Sequence, residues 1–276
     1  MTQGKTALIT GSTDGLGRQV ALRVAEAGFS VLVHGRDRQR GEAVVDEISS
    51  VGGSAQFLGA DLASLAQVRQ LADAVGGEHS RLELLINNAG IGTGRGGTRA
   101  TSADGFELRF AVNYLAAFLL THRLLPLLSG SAPAAAPARI VNVASAAQYP
   151  VDFDNVMLTR AYSGMRAYAQ SKLALVMLTF DLARDLAGSG VVVNCLHPAT
   201  YMDTRMVREA GATPVSTVEE GARAVLQLAL SPQLQSQTGL FFNGTQRARA
   251  HDHSYDEGAR ARLRALSREL VGLGPE

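Results

Sequence analysis

Apolar and polar residues alternate along this chain in blocks of two lengths. Short apolar runs at residues 5–10, 30–34, 55–60, 82–86, 139–144, 191–196 and 239–243 have the length and closure of β-strands. Between them lie longer stretches in which apolar residues recur every three or four positions. These predict helices over 18–27, 38–51, 65–75, 106–128 and 218–230, with another that contains Tyr168 and runs to 186. Strands alternating with helices at this spacing call for a parallel sheet with right-handed crossovers. The fold class is therefore α/β, with residues 1–276 forming a single doubly wound, Rossmann-type domain whose seven-stranded parallel sheet is flanked by helices. A C-terminal helical tail over about 250–276 has a basic amphipathic helix at 255–273, expected to pack on the body or on a partner subunit. Residues 129–138, with two prolines and many alanines, read as a surface loop.

Composition narrows the function classes. An apolar content of 46% and a charged content of 18% are those of a globular protein with a full core. A net charge of +1 argues against nucleic-acid binding, which needs clustered Lys and Arg. The single cysteine, Cys195, lies in a strand-like apolar run and reads as a small buried hydrophobe. The first strand begins too early for a leader. The longest apolar stretch, near 115–128, is interrupted by Thr121, His122, Arg123 and Pro126, so no stable membrane association is expected. His251-Asp252-His253 supplies too few ligands for a metal site, and no metal is assigned. A cytoplasmic protein is expected.

Several positions carry chemistry. Gly11-Ser12-Thr13-Asp14-Gly15-Leu16-Gly17 stands between the first strand and the first helix, where backbone N–H groups can hold a phosphate. After the second strand, Arg36 and Arg38 suit a 2′-phosphate, while Asp37 is either a ribose acid or a helix cap. Asp61, beyond the third strand, either meets an adenine or caps the next helix. Asn113 is out of place on an apolar helix face, and Ser145 stands where the fifth strand ends. Tyr168 and Lys172 are four apart on one helix, so both can reach one spot, and an ammonium near a phenol lowers its pKa.

Taken in order, these motifs resemble the short-chain dehydrogenase/reductase family over nearly the full length. Thr10 to Gly17 matches its TGxxxGxG turn, Asn87-Asn88-Ala89-Gly90 its NNAG motif, and Asn113, Ser145, Tyr168 and Lys172 its catalytic tetrad. The resemblance implies an NADP(H)-preferring oxidoreductase, with NAD(H) possible, that acts on a carbonyl or alcohol of a moderately apolar small molecule. Ser145 would hold the substrate oxygen and Tyr168 would exchange its proton. Lys172 would bind the nicotinamide ribose and depress the Tyr168 pKa, and Asn113 would anchor a relay water. Cofactor contacts would come from the glycine turn, Arg36, Asp61, Leu62, Asn88, Ala89, Gly90, Tyr168, Lys172, Pro198 and Thr200.

Two features depart from the usual pattern. Ser145 and Tyr168 are separated by 22 intervening residues, more than in many members, and this insert looks like the retinol-dehydrogenase-like branch. The PG after the sixth strand is Pro198-Ala199, which leaves the nicotinamide amide contact to either Thr200 or Thr204. Substrate choice falls to the loops 91–101, 146–165 and 200–214. The resemblance further implies a homodimer or homotetramer, often built on the helices that hold Asn113 and Tyr168. Two alternatives stand beside the redox reading: a cofactor-binding sensor or regulator without turnover, and a tailoring enzyme using the same pocket for cyclisation or dehydration.

Overall fold

The computed structural model describes residues 4–94, 98–131 and 136–274, so parts of the predicted loops 91–101 and 129–138 lie outside the described residues. Each predicted strand is present: β1 Lys5–Ile9, β2 Phe29–Gly35, β3 Ser54–Gly59, β4 Leu84–Asn87, β5 Ala138–Val143, β6 Val191–His197 and β7 Leu240–Asn243. All seven pair in parallel, in the order β3-β2-β1-β4-β5-β6-β7. β4, β5 and β6 are buried along their whole length, which is why they read as continuous apolar runs rather than as an alternation. The strand order reverses between β1 and β4, which opens a crevice at their carboxyl ends.

The sheet has eight strands, not seven. Gly244, at φ +58°, turns the chain back so that β8 (Gln246–Ala248) pairs antiparallel with β7. Gln246-Arg247-Ala248 has no apolar run to mark it. It is an exposed edge strand held by backbone pairing, invisible to hydrophobic patterning.

Helices cover both faces. α1 (Gly15–Glu26), α2 (Arg38–Ser50) and α8 (Val218–Leu230) pack Val20, Val24, Ile48 and Val225 on one side. α3 (Leu65–Glu78), α5 (Ala116–Gly130), α6 (Gly164–Asp185) and α9 (Glu257–Leu270) pack Leu71, Leu119, Leu175 and Leu263 on the other. Short helices α4 (Leu108–Phe110) and α7 (Arg205–Glu209) complete the set. α4 runs through a π-helical turn, Ala111–Leu115, into α5, which makes one helix of the predicted 106–128 element. By length and composition Leu108–Gly130 could cross a bilayer, but 72% of its apolar window is buried inside the protein. Here it is a core helix.

The tail is helical only from Glu257 to Leu270, after a 3-10 turn at Asp252–Tyr255 that includes His251-Asp252-His253 in its cap and body. α9 packs on the body: Leu263 is 2% exposed, and the Tyr114 hydroxyl meets Ser267 Oγ at 2.7 Å. Truncating Leu263 leaves a cavity in this seam. Leu263→Ala is expected to cost about 2–5 kcal/mol in urea unfolding, against about 0.5 kcal/mol or less for the exposed Glu269→Ala.

Candidate active site

At the end of β1, Gly11 takes φ +65°, and a Cβ there would stand 2.8 Å from Ala89 Cα. A Cβ on Gly17 would come within 2.1 Å of the Gly11 carbonyl oxygen and 2.5 Å of Asn88 Nδ2. Both positions are closed to any side chain. Asp14 caps α1, accepting from the Gly15 N–H at 2.7 Å, and Leu16 anchors the helix start in the core. Ser12 is fully buried: its hydroxyl donates to the Ile9 carbonyl and accepts from the His34 N–H. The Gly11 N–H donates to His34 Nδ1 at 3.1 Å, which puts the imidazole proton on Nε2. Burial lowers the His34 pKa to about 4, so the ring stays a neutral acceptor. Thr13 sits over Gly35, where a Cβ would lie 2.5 Å from Thr13 Cγ2.

The second turn is held to the first by Thr10. Its hydroxyl accepts from the N–H groups of Asn88 and Ala89, both at 3.0 Å, while Asn88 Nδ2 donates to the Thr10 and Gly11 carbonyls. Sequence reading passed over the Thr10 hydroxyl and His34, although both lie inside or beside the quoted turn. This bare-backbone cradle at a helix N-terminus fits a dinucleotide pyrophosphate.

The acids beyond β2 and β3 each accept from a backbone N–H. Asp37 is the α2 cap, accepting from the Arg40 N–H. Asp61 accepts from the Ala63 N–H, while Ser64 caps α3, so Asp61 closes a local turn beside the buried Leu62. Arg36 Nη1 approaches Asp61 at 4.0 Å, and Arg38 pairs with Glu42. The Arg36–Asp61 pair is thus the longer of the two, at 4.0 Å against 2.9 Å for Arg38–Glu42.

On the other side of the crevice the four tetrad positions converge. Ser145 stands just past β5, buried, with its Oγ accepting from the Ala147 N–H. Ser163 caps α6 and sets the start of the helix carrying Tyr168 and Lys172. Lys172 Nζ donates to the Val143 carbonyl at 2.8 Å, and among the described residues no carboxylate forms an ion pair with it. Asn113 lies in the π-helical turn; its Oδ1 accepts from the Ile91 N–H, and its Nδ2 donates to the Ile91 carbonyl and to Ser171 Oγ. Ser171 in turn donates to the Tyr168 carbonyl. A Cβ on Gly90 would stand 3.2 Å from Asn113 Oδ1 and 3.3 Å from Lys172 Nζ, so the two groups flank one glycine. Beneath the site, Asn87 donates to Thr121 and Asn142, and Asn142 donates to Thr179, a buried ladder that ties α5, β4, β5 and α6 together.

Burial lowers the Lys172 pKa to about 8. All but two of the 26 Lys and Arg residues are arginine, and Lys172 is one of the two lysines. An arginine could not give up its proton there. The expected depression of the Tyr168 pKa is not found in the protein alone. Burial raises it, and the hydrogen bond with Ser145 only partly offsets that rise. The Lys172 amine is directed at the Val143 carbonyl and lies 5.9 Å from the centre of the Tyr168 ring. His197, beyond β6, is lowered by burial and then by the Lys172 charge, and its Nε2 contacts Thr200 Oγ1 at 3.1 Å.

Of the two threonines left open, Thr200 is therefore turned to His197, whereas Thr204 reaches the glycine turn, 3.5 Å from where a Gly15 Cβ would be. Pro198 is buried just past the end of β6. Among the described residues the non-glycine positions with left-handed φ are Leu158, Ala161 and Tyr201, all on the loops around this crevice. A separate cavity of about 480 Å³ lies at the amino ends of the strands, lined by Thr6, His79, Arg81 and Glu83. Its charged groups pair with each other, and Glu83 also accepts from the Thr6 N–H, so it holds none of this chemistry.

A family model described as short chain dehydrogenase matches residues 5–214. The chain belongs to the short-chain dehydrogenase family. Human retinol dehydrogenase 13 is 37% identical over 98% of this chain and 85% of that protein. Mouse polyprenol dehydrogenase is 37% identical over the same shares. The Pseudomonas aeruginosa RhlG/NADP active-site complex is 30% identical with TM-score 0.71, over 88% of this chain and 95% of that one. This short-chain dehydrogenase is accordingly similar to the retinol-dehydrogenase-like branch, and its family supports nicotinamide-dependent oxidoreductase chemistry on alcohols and carbonyls.

The buried amine can be followed directly. In Lys5→Arg protein, Lys172 is the remaining lysine, and its NMR signal is expected to titrate near pH 8, charged below and neutral above; a midpoint near the ordinary 10.5 would contradict its burial. An unfolded lysine keeps its proton to the higher pH, so this group adds stability as pH rises between those two values.

Proposed function

We propose that this protein transfers hydride between NADP(H), preferred over NAD(H), and an alcohol or carbonyl carbon of an apolar small molecule, with Tyr168 as general acid and base. The observation that carries the reading is the convergence of Asn113, Ser145, Tyr168 and Lys172 beside the bare-backbone cradle at one end of the sheet. When bound, the nicotinamide supplies or accepts the hydride. The chain's own groups handle the proton. Ser145 and Tyr168 both present hydroxyls to the oxygen of the substrate. In reduction, the Tyr168 phenol gives its proton as charge grows on that oxygen, and Ser145 steadies the charge by a second hydrogen bond. The phenolate left behind is stabilised by a protonated Lys172, and Asn113 holds Ile91 and α6 so that the amine keeps its place. A protein that only bound cofactor would need neither the Tyr168 phenol nor the Asn113 amide in this crevice.

Retinol and polyprenols, named in the relatives, are both alcohols on apolar isoprenoid chains. Supporting an apolar substrate here, four of the six exposed large apolar side chains among the described residues, Tyr149, Met165, Tyr201 and Val215, sit on the segments that follow β5 and β6. Burial of Leu108–Gly130 in the core gives that helix a packing role rather than a membrane-spanning one.

Cofactor oxidation with a panel of apolar aldehydes, ketones and quinones tests the reading. Tyr168→Phe is expected to lower turnover by about 10²-fold or more with NADPH binding retained. Equal turnover by both proteins would overturn it. Arg36→Ala is expected to raise KM for NADPH by about tenfold and to leave KM for NADH within about twofold.

A further inference from the structure

Arg109 is buried next to the site and belongs to no motif. Each nitrogen of its guanidinium donates: Nε to the Gly92 carbonyl at 2.8 Å, Nη2 to the Thr93 carbonyl at 2.6 Å, and Nη1 to Tyr162 Oη at 2.5 Å. Glu107, 1% exposed, completes the group: its carboxylate accepts from Tyr162 Oη at 3.1 Å, from the Phe110 N–H at 2.7 Å and from Arg109 Nη1. Asn113, four residues further along the same helix, holds both backbone groups of Ile91. Together Arg109 and Asn113 therefore bind three consecutive residues of the loop that leaves β4.

The clamp reaches the opposite wall as well. Tyr162 ends the insert between Ser145 and Tyr168, and a Cβ on Gly164, the first residue of α6, would lie 2.2 Å from the Thr93 carbonyl oxygen. Gly94, at φ +71°, lets the guanidinium lie against it, since a Cβ there would be 2.5 Å from Nη2. The insert itself holds Leu158 and Ala161 in left-handed conformations, which persist only where surroundings over-determine them. One cation thus ties together the two loops that wall the crevice and the start of the helix carrying Tyr168.

We propose that Arg109 is the positioning residue of the substrate side: it fixes the 91–94 loop and the Tyr162 end of the insert as one wall and sets substrate affinity rather than the chemical step. This rests on the oxidoreductase reading above. Losing hydrogen bonds from a buried charge predicts that Arg109→Gln raises KM for an apolar substrate about tenfold or more, with kcat within about fivefold and NADPH affinity within about twofold. Tyr162→Phe, which deletes one hydroxyl, is expected to raise KM by a smaller factor at unchanged melting temperature. Millimolar guanidinium ion is expected to restore part of the lost affinity in Arg109→Ala. Hydrogen exchange reads the clamp without any substrate: amides of 91–94 and of the insert are expected to exchange faster together in Arg109→Gln. Unchanged exchange in both segments overturns the clamp whether or not the enzyme turns over. Faster exchange with KM unchanged in both variants overturns the role in affinity alone.

A second observation stands by itself. α6 is buried along 16 of its 22 residues within one chain. Its outer side is covered by α9, where Arg260 and Arg264 donate to Asp181 at 2.9 and 2.8 Å and Leu263 packs near Tyr114, Phe118, Met177 and Leu178. Val271 is fully buried, and its carbonyl accepts from Arg69 of α3. We infer that α9 takes the place of a second subunit on the α5–α6 face, against the expectation of a dimer built there. Native mass spectrometry with cross-linking of the full chain tests this. A monomer, or an oligomer cross-linked only through other faces, is the expected result. Cross-links between α6 helices of two copies would overturn it.

Discussion

Two turns, one leaving β1 and one leaving β4, meet with no space for a side chain between them, and the rest of the site is built on that contact. Gly11 and Gly17 are glycines because a Cβ at either would overlap backbone, and the Thr10 hydroxyl satisfies two N–H groups of the opposing turn. The contact sits where the strand order reverses, so the crevice opens above it. One side of the crevice is bare backbone at a helix start. The other is the end of β5 with Ser145, faced by α6.

The second constraint is the burial of polar groups in that crevice. An amine at Lys172 with a single carbonyl acceptor is expensive to bury, and its lowered pKa reflects that cost. Asn113 can sit on an apolar helix only because Ile91 and Ser171 meet its amide, and the π-helical turn is what aims it there. Arg109 and Glu107 follow the same rule one helical turn earlier: they meet each other, Arg109 donates to the loop carbonyls, and Glu107 accepts from the Tyr162 hydroxyl and the Phe110 N–H. Polar groups held this way admit one arrangement, since releasing any of them leaves a buried partner unsatisfied.

Much of this was legible in the chain. The strands β4, β5 and β6 announce themselves because they are buried along their whole length, and the glycine turn and Tyr168–Lys172 spacing follow from local geometry. β8 was not legible, because an exposed three-residue edge needs no apolar residues. The Tyr168 pKa was misjudged for a related reason: helical spacing brings Lys172 to the same face, but burial and the direction of its amine are set by β5. Spacing alone did not show that Asp37 accepts from the Arg40 N–H and Asp61 from the Ala63 N–H.

Periodicity, glycines and the order of motifs by themselves determined the layered α/β fold, the family and the identity of the four converging residues. These are properties of local geometry and of side chains that have few other uses in such positions. Only the tertiary structure decided that Thr204 rather than Thr200 meets the glycine turn, that Arg109 locks two loops together, and that α9 closes the outer side of α6. Each of those depends on contacts between segments far apart in the chain, where spacing carries no information and the burial of polar groups selects the partner.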